Sequence, residues 1–195
     1  MDSRFTADEL IQRVHRYYPA GIHRDDPRYA TAPEHQQLEV LRKAAAEDVA
    51  EWQELLQRIR DELPGCRVWD YPTIRYDPAR EARVAQPDPA LATPDVKEVR
   101  EVVLLVSILA PVHCFYASHH RFVDERRTEA VVFYPPLPAE YQPYEAKMEQ
   151  LVRATFSSVR LPTEVLLTPV PDLQIGNIGF GQVRLIDCLF TDHRW

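Results

Sequence analysis

The sequence predicts an α+β fold: a single domain over residues 1–195 in which a mainly antiparallel sheet of about five strands packs with three helices. Three observations carry this. Apolar residues recur at helical spacing early in the chain, and strand-like runs are grouped after them. The segment Val102-Val-Leu-Leu-Val106 is apolar on both of its alternating faces, so it needs a covering layer above and below. Finally, 195 residues with 45% apolar and 27% charged side chains can build one substantial core.

Thr6-Ala-Asp-Glu9 has the form of a capping box, in which the Thr hydroxyl and the Glu carboxylate satisfy the first free amides of a helix. Leu10, Ile11, Val14, Tyr17 and Tyr18 supply its apolar face, and Pro19-Ala-Gly21 ends it. A second helix opens near Pro33. Its stripe of Leu38, Leu41, Ala45, Val49, Trp52, Leu56, Ile59 and Leu63 predicts one continuous element of about eight turns, stopped by Pro64-Gly65. Cys66 to Tyr71 alternates as a strand. The stretch 72–94 contains prolines, no glycine and no clear period, which predicts a proline-rich surface excursion.

Val99 to Leu109, Val112 to Phe122 and Glu129 to Tyr134 are predicted as strands, with Asp124-Glu-Arg-Arg127 as a polar turn. The third helix covers Ala139 to Ser157, burying Met148, Leu151, Val152 and Phe156. Val165 to Thr168 and Val183 to Phe190 are predicted as closing strands. Gly176, Gly179 and Gly181 lie between them, where turns call for positive φ.

The net charge of −7 and a pI near 5.5 argue against a broad basic surface for nucleic acid. Cys66, Cys114 and Cys188 are odd in number and widely spaced, which fits buried thiols in a reducing compartment. No apolar stretch follows Met1-Asp-Ser-Arg4. Val102 to Ser118 is shorter than the roughly 20 residues of a membrane-spanning helix and carries Pro111 and His113. The expectation is a cytoplasmic chain without membrane contact.

No residue pattern assigns catalysis, a metal or a cofactor. Gly176-Asn-Ile-Gly-Phe-Gly181 precedes a strand-like segment and lacks a Lys-Ser/Thr pair, so it is a turn rather than a phosphate loop. The histidines show no HExxH spacing, and His119 and His120, adjacent on a strand, face opposite ways. Cysteine, histidine and Asn177 are all present, but their spacing does not show that they meet, and no GxSxG elbow occurs. Two surfaces are candidates for partner binding. Glu47, Glu51 and Glu54 form an acidic helix face suited to a basic partner. Asp192, Arg194 and Trp195 form a polar-aromatic tip of hot-spot composition, whose structural alternative is Trp195 packed over the sheet edge.

Tyr134-Pro-Pro-Leu-Pro138 and Asp187-Cys-Leu-Phe-Thr-Asp192, with the acidic, motif-free character of the whole chain, resemble the immunity proteins of bacterial polymorphic-toxin systems, among them those of myxobacteria. The resemblance implies a non-catalytic protein-binding domain that neutralises a cognate toxin, often a basic one, by stoichiometric binding. Two alternatives stand beside it. One is a small cytosolic enzyme using His113, His119 or Asp187 in a pocket beside the sheet. The other is a homo-oligomeric scaffold joined through a strand edge.

Overall fold

A six-stranded sheet organises the computed structural model, which describes residues 5–87 and 96–192. The helical elements are α1 (Ala7–Val14), α2 (Pro27–Thr31), α3 (Pro33–Glu47), α4 (Ala50–Glu62), α5 (Gln142–Thr155), α6 (Thr163–Leu166) and α7 (Leu185–Leu189). The strands are β1 (Arg67–Tyr71), β2 (Ala79–Ala85), β3 (Val96–Ser107), β4 (Val112–Val123), β5 (Arg126–Phe133) and β6 (Val159–Arg160). Strands β1 to β5 form an antiparallel meander in sequence order, and β6 pairs in parallel with the first residues of β4. The molecule is thus the expected single α+β domain with a mainly antiparallel sheet.

Alternation along the strands sends two sets of side chains to opposite faces. Ala82, Val84, Val102, Leu104, Val106, Phe115 and Ala117 pack beneath α4 and α5, which contribute Trp52, Leu55, Leu56, Ile59, Met148, Leu151 and Val152. Val103, Leu105, Cys114 and Tyr116 face the other way, toward Leu10, Val14, Leu38 and the buried residues of α7. Burying each large apolar side chain contributes on the order of 1.5–3 kcal/mol relative to exposure. Packing on the sheet, more than helix propensity, therefore holds these helices. The two covering layers that the Val102–Val106 run demanded are both present.

At the N-terminus, the Glu9 side chain accepts the Thr6 backbone N–H at 2.8 Å, and the Thr6 hydroxyl accepts the Glu9 N–H at 3.2 Å, completing the expected capping box. The long second helix is corrected: it breaks at Asp48, whose φ of −89° and ψ of 85° leave the helical region. Arg80 from β2 explains the break. Its guanidinium donates to the carbonyls of Ala45 and Asp48 and lies 5.9 Å over the Trp52 ring, taking the place of the amides of a continuing helix. Leu38 is buried in α3, whereas Val49, counted in the predicted stripe, is 40% exposed.

The surface excursion expected over 72–94 is also corrected. Ala79–Ala85 forms β2, an almost wholly buried strand between β1 and β3; residues 88–95 of that stretch lie outside the described residues. Its sequence Ala-Arg-Glu-Ala-Arg-Val-Ala hides the strand because charged side chains occupy positions that are buried as ion pairs. The closing strands are corrected as well: Val165–Thr168 overlaps α6, and Val183–Phe190 overlaps α7. Every residue of α7 is buried, so its sequence has no polar face to reveal a helical period.

Candidate functional site

A cavity of about 720 Å³ lies between the face of the sheet that carries Tyr71, Glu81 and Arg83 and a wall built by α2, α3 and the C-terminal segment. The pleat of β1 and β2 directs those three side chains to one face, with Tyr71 opposite Glu81 in the register. Tyr29 of α2 and His35, Leu38, Glu39 and Arg42 of α3 also line the cavity, as do Thr73, Arg75, Tyr76, Asp77 and Pro78.

Its floor is a buried ionic cluster. The Arg83 guanidinium donates through Nε to Glu81 at 2.5 Å and through Nη1 to Glu101 at 3.5 Å, and the Ser118 hydroxyl donates to Glu101 at 3.2 Å. The guanidinium also sits 4.2 Å from the centroid of the Tyr71 ring. Burial opposes the charge on Arg83, but Tyr116, Glu81 and Glu101 outweigh it and raise its pKa. Tyr116, beside the cluster, is pushed far above the ordinary phenol range by burial first and by Glu81 next. Its hydroxyl has no hydrogen-bond partner among the described residues. Paired this way the charges are tolerated in the interior; singly they would not be.

The C-terminal wall is held by local bonds. Asp187 accepts the Arg184 backbone N–H at 2.7 Å and so caps α7, and the Tyr18 hydroxyl donates to the Cys188 carbonyl at 3.0 Å. Ile175 and Ile178 exchange backbone hydrogen bonds around Gly176-Asn177. Gly176 (φ +53°) and Gly181 (φ +79°) take the left-handed conformation expected of them, whereas Gly179 does not. At Gly176 a side chain is also excluded by space, because a Cβ would lie 1.3 Å from Asp192 Oδ2.

The outer part of the cavity is different in character. Arg42 donates to Glu39 at 2.7 Å and to the Tyr76 carbonyl at 2.5 Å, yet its Nε is buried with no partner among the described residues. The same is true of His35 Nδ1. The His35 ring lies 5.0 Å from that of Tyr29. Burial raises the Tyr29 pKa, and the nearby Arg24 and Arg42 pull it back. For His35, burial lowers the pKa against the pull of Glu39, with Arg42 and Arg24 adding to the fall.

No protein family, curated protein or solved structure matches this chain. The geometry therefore has to carry the functional argument.

Of the residues singled out in the sequence, Glu47, Glu51 and Glu54 are all exposed, and none forms an ion pair among the described residues. The break at Asp48 places Glu47 on α3 and the other two on α4. Asp192 lines the cavity, away from those glutamates, which do not. Arg194 and Trp195 lie outside the described residues. His113 is fully buried, with Nδ1 2.8 Å from Ser158 Oγ and Nε2 2.9 Å from Glu149, a link that ties β4 to α5. His119 meets Glu98 at 3.1 Å, on the other side of the strand from His120 as adjacency required. Neither His113 nor His119 lines the cavity, whereas Asp187 does. Burial pushes the Cys114 thiol far above its ordinary pKa, away from the thiolate a nucleophile needs.

Sequence reasoning passed over Arg24, Tyr29, His35, Arg42, Arg75 and Tyr76. The available signal was the density of Arg and Tyr in two short segments, 24–29 and 71–76, both of hot-spot composition.

Proposed function

We propose that this chain is a non-catalytic, cytoplasmic protein-binding domain of the immunity type, which neutralises a basic toxin by stoichiometric binding. One observation supports it above others: Glu47, Glu51 and Glu54 are exposed and have no ion-pair partner among the described residues. A basic surface can dock on such carboxylates without breaking bonds that hold the fold. Exposed Val40 (71%) on α3 and Val49 (40%) at the N-cap of α4 add apolar contact area, and the net charge of −7 steers a cationic partner toward the molecule.

The test is capture of a partner from lysate with tagged protein at low and high salt, followed by association kinetics with the purified partner. A single basic protein bound one to one is expected, with association slowed by salt and slowed about tenfold or more by E47K/E51K/E54K. An association rate unchanged by that triple variant removes this surface from the reading.

The cavity favours a second reading, binding or turnover of a small molecule. It has the volume of a ligand site and is lined by His35, Asp77 and Asp187.

A further inference from the structure

We propose that the outer part of the cavity binds a small organic anion, with its phosphate or carboxylate group among Arg24, Arg42 and Arg75 and a planar body between the tyrosines. This extends the small-molecule reading of the cavity and is independent of the acidic helix surface.

The argument begins with an inventory of hydrogen-bonding capacity. Glu39 is engaged by Arg42, Glu81 by Arg83 and Asp187 by the Arg184 amide. Asp77 and Asp192 also have interactions of their own. The donors on the opposite side are not so committed. Arg24, Arg75, Tyr29 and Tyr76 line the cavity, and their guanidinium and hydroxyl groups have no hydrogen-bond partner among the described residues. Arg42 Nε and His35 Nδ1 are buried without one. Leaving such a buried polar group unpaired is destabilising. An anion that accepts from several of these groups at once removes the deficit, and charge-assisted bonds from guanidinium are the strongest kind available.

Position and size agree. Arg24 and Arg42 both act electrostatically on Tyr29 and on His35, so the two guanidinium groups converge on one ring pair. Arg75 adjoins Tyr76, whose carbonyl holds Arg42. At about 720 Å³ the cavity exceeds what a simple inorganic anion fills and matches a small organic ligand. Tyr71 and Tyr76, 45% and 75% exposed, are among the residues that line it.

The experiment is calorimetric titration of the full chain with phenyl phosphate, benzoate, inorganic phosphate and phenol. Phenyl phosphate or benzoate is expected to bind measurably in the millimolar range or better, and whichever binds more tightly identifies the anionic group. Inorganic phosphate and phenol, each with one half of the recognition, should bind about tenfold more weakly. R24A/R75A should weaken the organic anion at least about tenfold. Its unfolding midpoint should equal that of the parent, since neither side chain has a bond among the described residues. Binding of neither organic anion, equal binding by R24A/R75A, or equal binding of inorganic phosphate or of phenol overturns the proposal. Because Glu47, Glu51 and Glu54 do not line the cavity, none of these results bears on partner capture.

Discussion

Gly176 is fixed by two constraints at once. Its φ of +53° lies where L side chains are strained, and the place a Cβ would occupy is filled by the Asp192 carboxylate. Gly176→Ala is expected to destabilise the protein by about 2–3 kcal/mol in urea denaturation, combining strain with the displacement of Asp192. Adding Asp192→Ala should restore the part due to the clash and leave the part due to φ. If the double variant is less stable than the single one, the contact with Asp192 is not the cause. At this scale the sequence was legible where partners are close along the chain. Thr6 and Glu9 are three residues apart, and their capping box could be read directly. Arg83 and Ser118 each find Glu101 only through the register of separate strands, so the buried cluster could not be foreseen.

Between β4 and β5 the chain reverses through Asp124 and Glu125, with φ of 47° and 62°, both left-handed. Two consecutive left-handed residues match the right-handed twist of a two-residue hairpin, which favours Asn or Asp followed by Gly. Glu125→Gly is therefore expected to stabilise the protein by about 1 kcal/mol, read as a higher urea midpoint with unchanged slope. A lower midpoint would mean that the Glu125 side chain contributes more than its backbone strain removes. The polar run Asp124 to Arg127 marked this turn in the sequence, but Arg126 and Arg127 belong to β5. Elements with one exposed face, such as α1 and α5, were readable from periodicity. Element α7, buried all round, and β2, buried with paired charges, were not, because each lacks the alternation that distinguishes inside from outside. The break between α3 and α4 was hidden for another reason: the group that causes it, Arg80, comes from β2.

For the whole molecule, buried titratable groups set the response to acid. Burial lowers the pKa of His120 below its ordinary 6.5 against the pull of Glu101, and Arg127, Arg83 and His119 add to the fall. His35 moves in the same direction. The unfolded chain then binds more protons than the native one just below pH 6.5, so stability falls as the pH drops through that window. Glu149 acts lower down. Burial alone would raise its pKa, but the bond and charge of His113 and the charge of Arg153 prevail, holding it below its ordinary 4.5. Its contribution is present above pH 4.5 and is lost as the pH falls toward its native value. Urea midpoints followed against pH should show two losses. His120→Gln is expected to flatten the one below 6.5, and Glu149→Gln the one below 4.5. A profile for His120→Gln parallel to the parent would assign the first loss to other groups. The two-layered sheet behind this behaviour was visible in the apolar Val102–Val106 run. The cavity was not, since its walls come from segments as distant as Arg24 and Asp192.

Those distances also set an order of assembly. The five meander strands each pair with a neighbour adjacent in the chain, so they can zip together as they are made. Helix α1 has no such neighbour: Leu10, Val14 and Tyr18 pack on the buried residues of α7, and the Tyr18 hydroxyl reaches the carbonyl of Cys188. Helix α1, made before every other element described here, is thus among the last to find its place, and its apolar face stays uncovered until residues 185–190 have been synthesised.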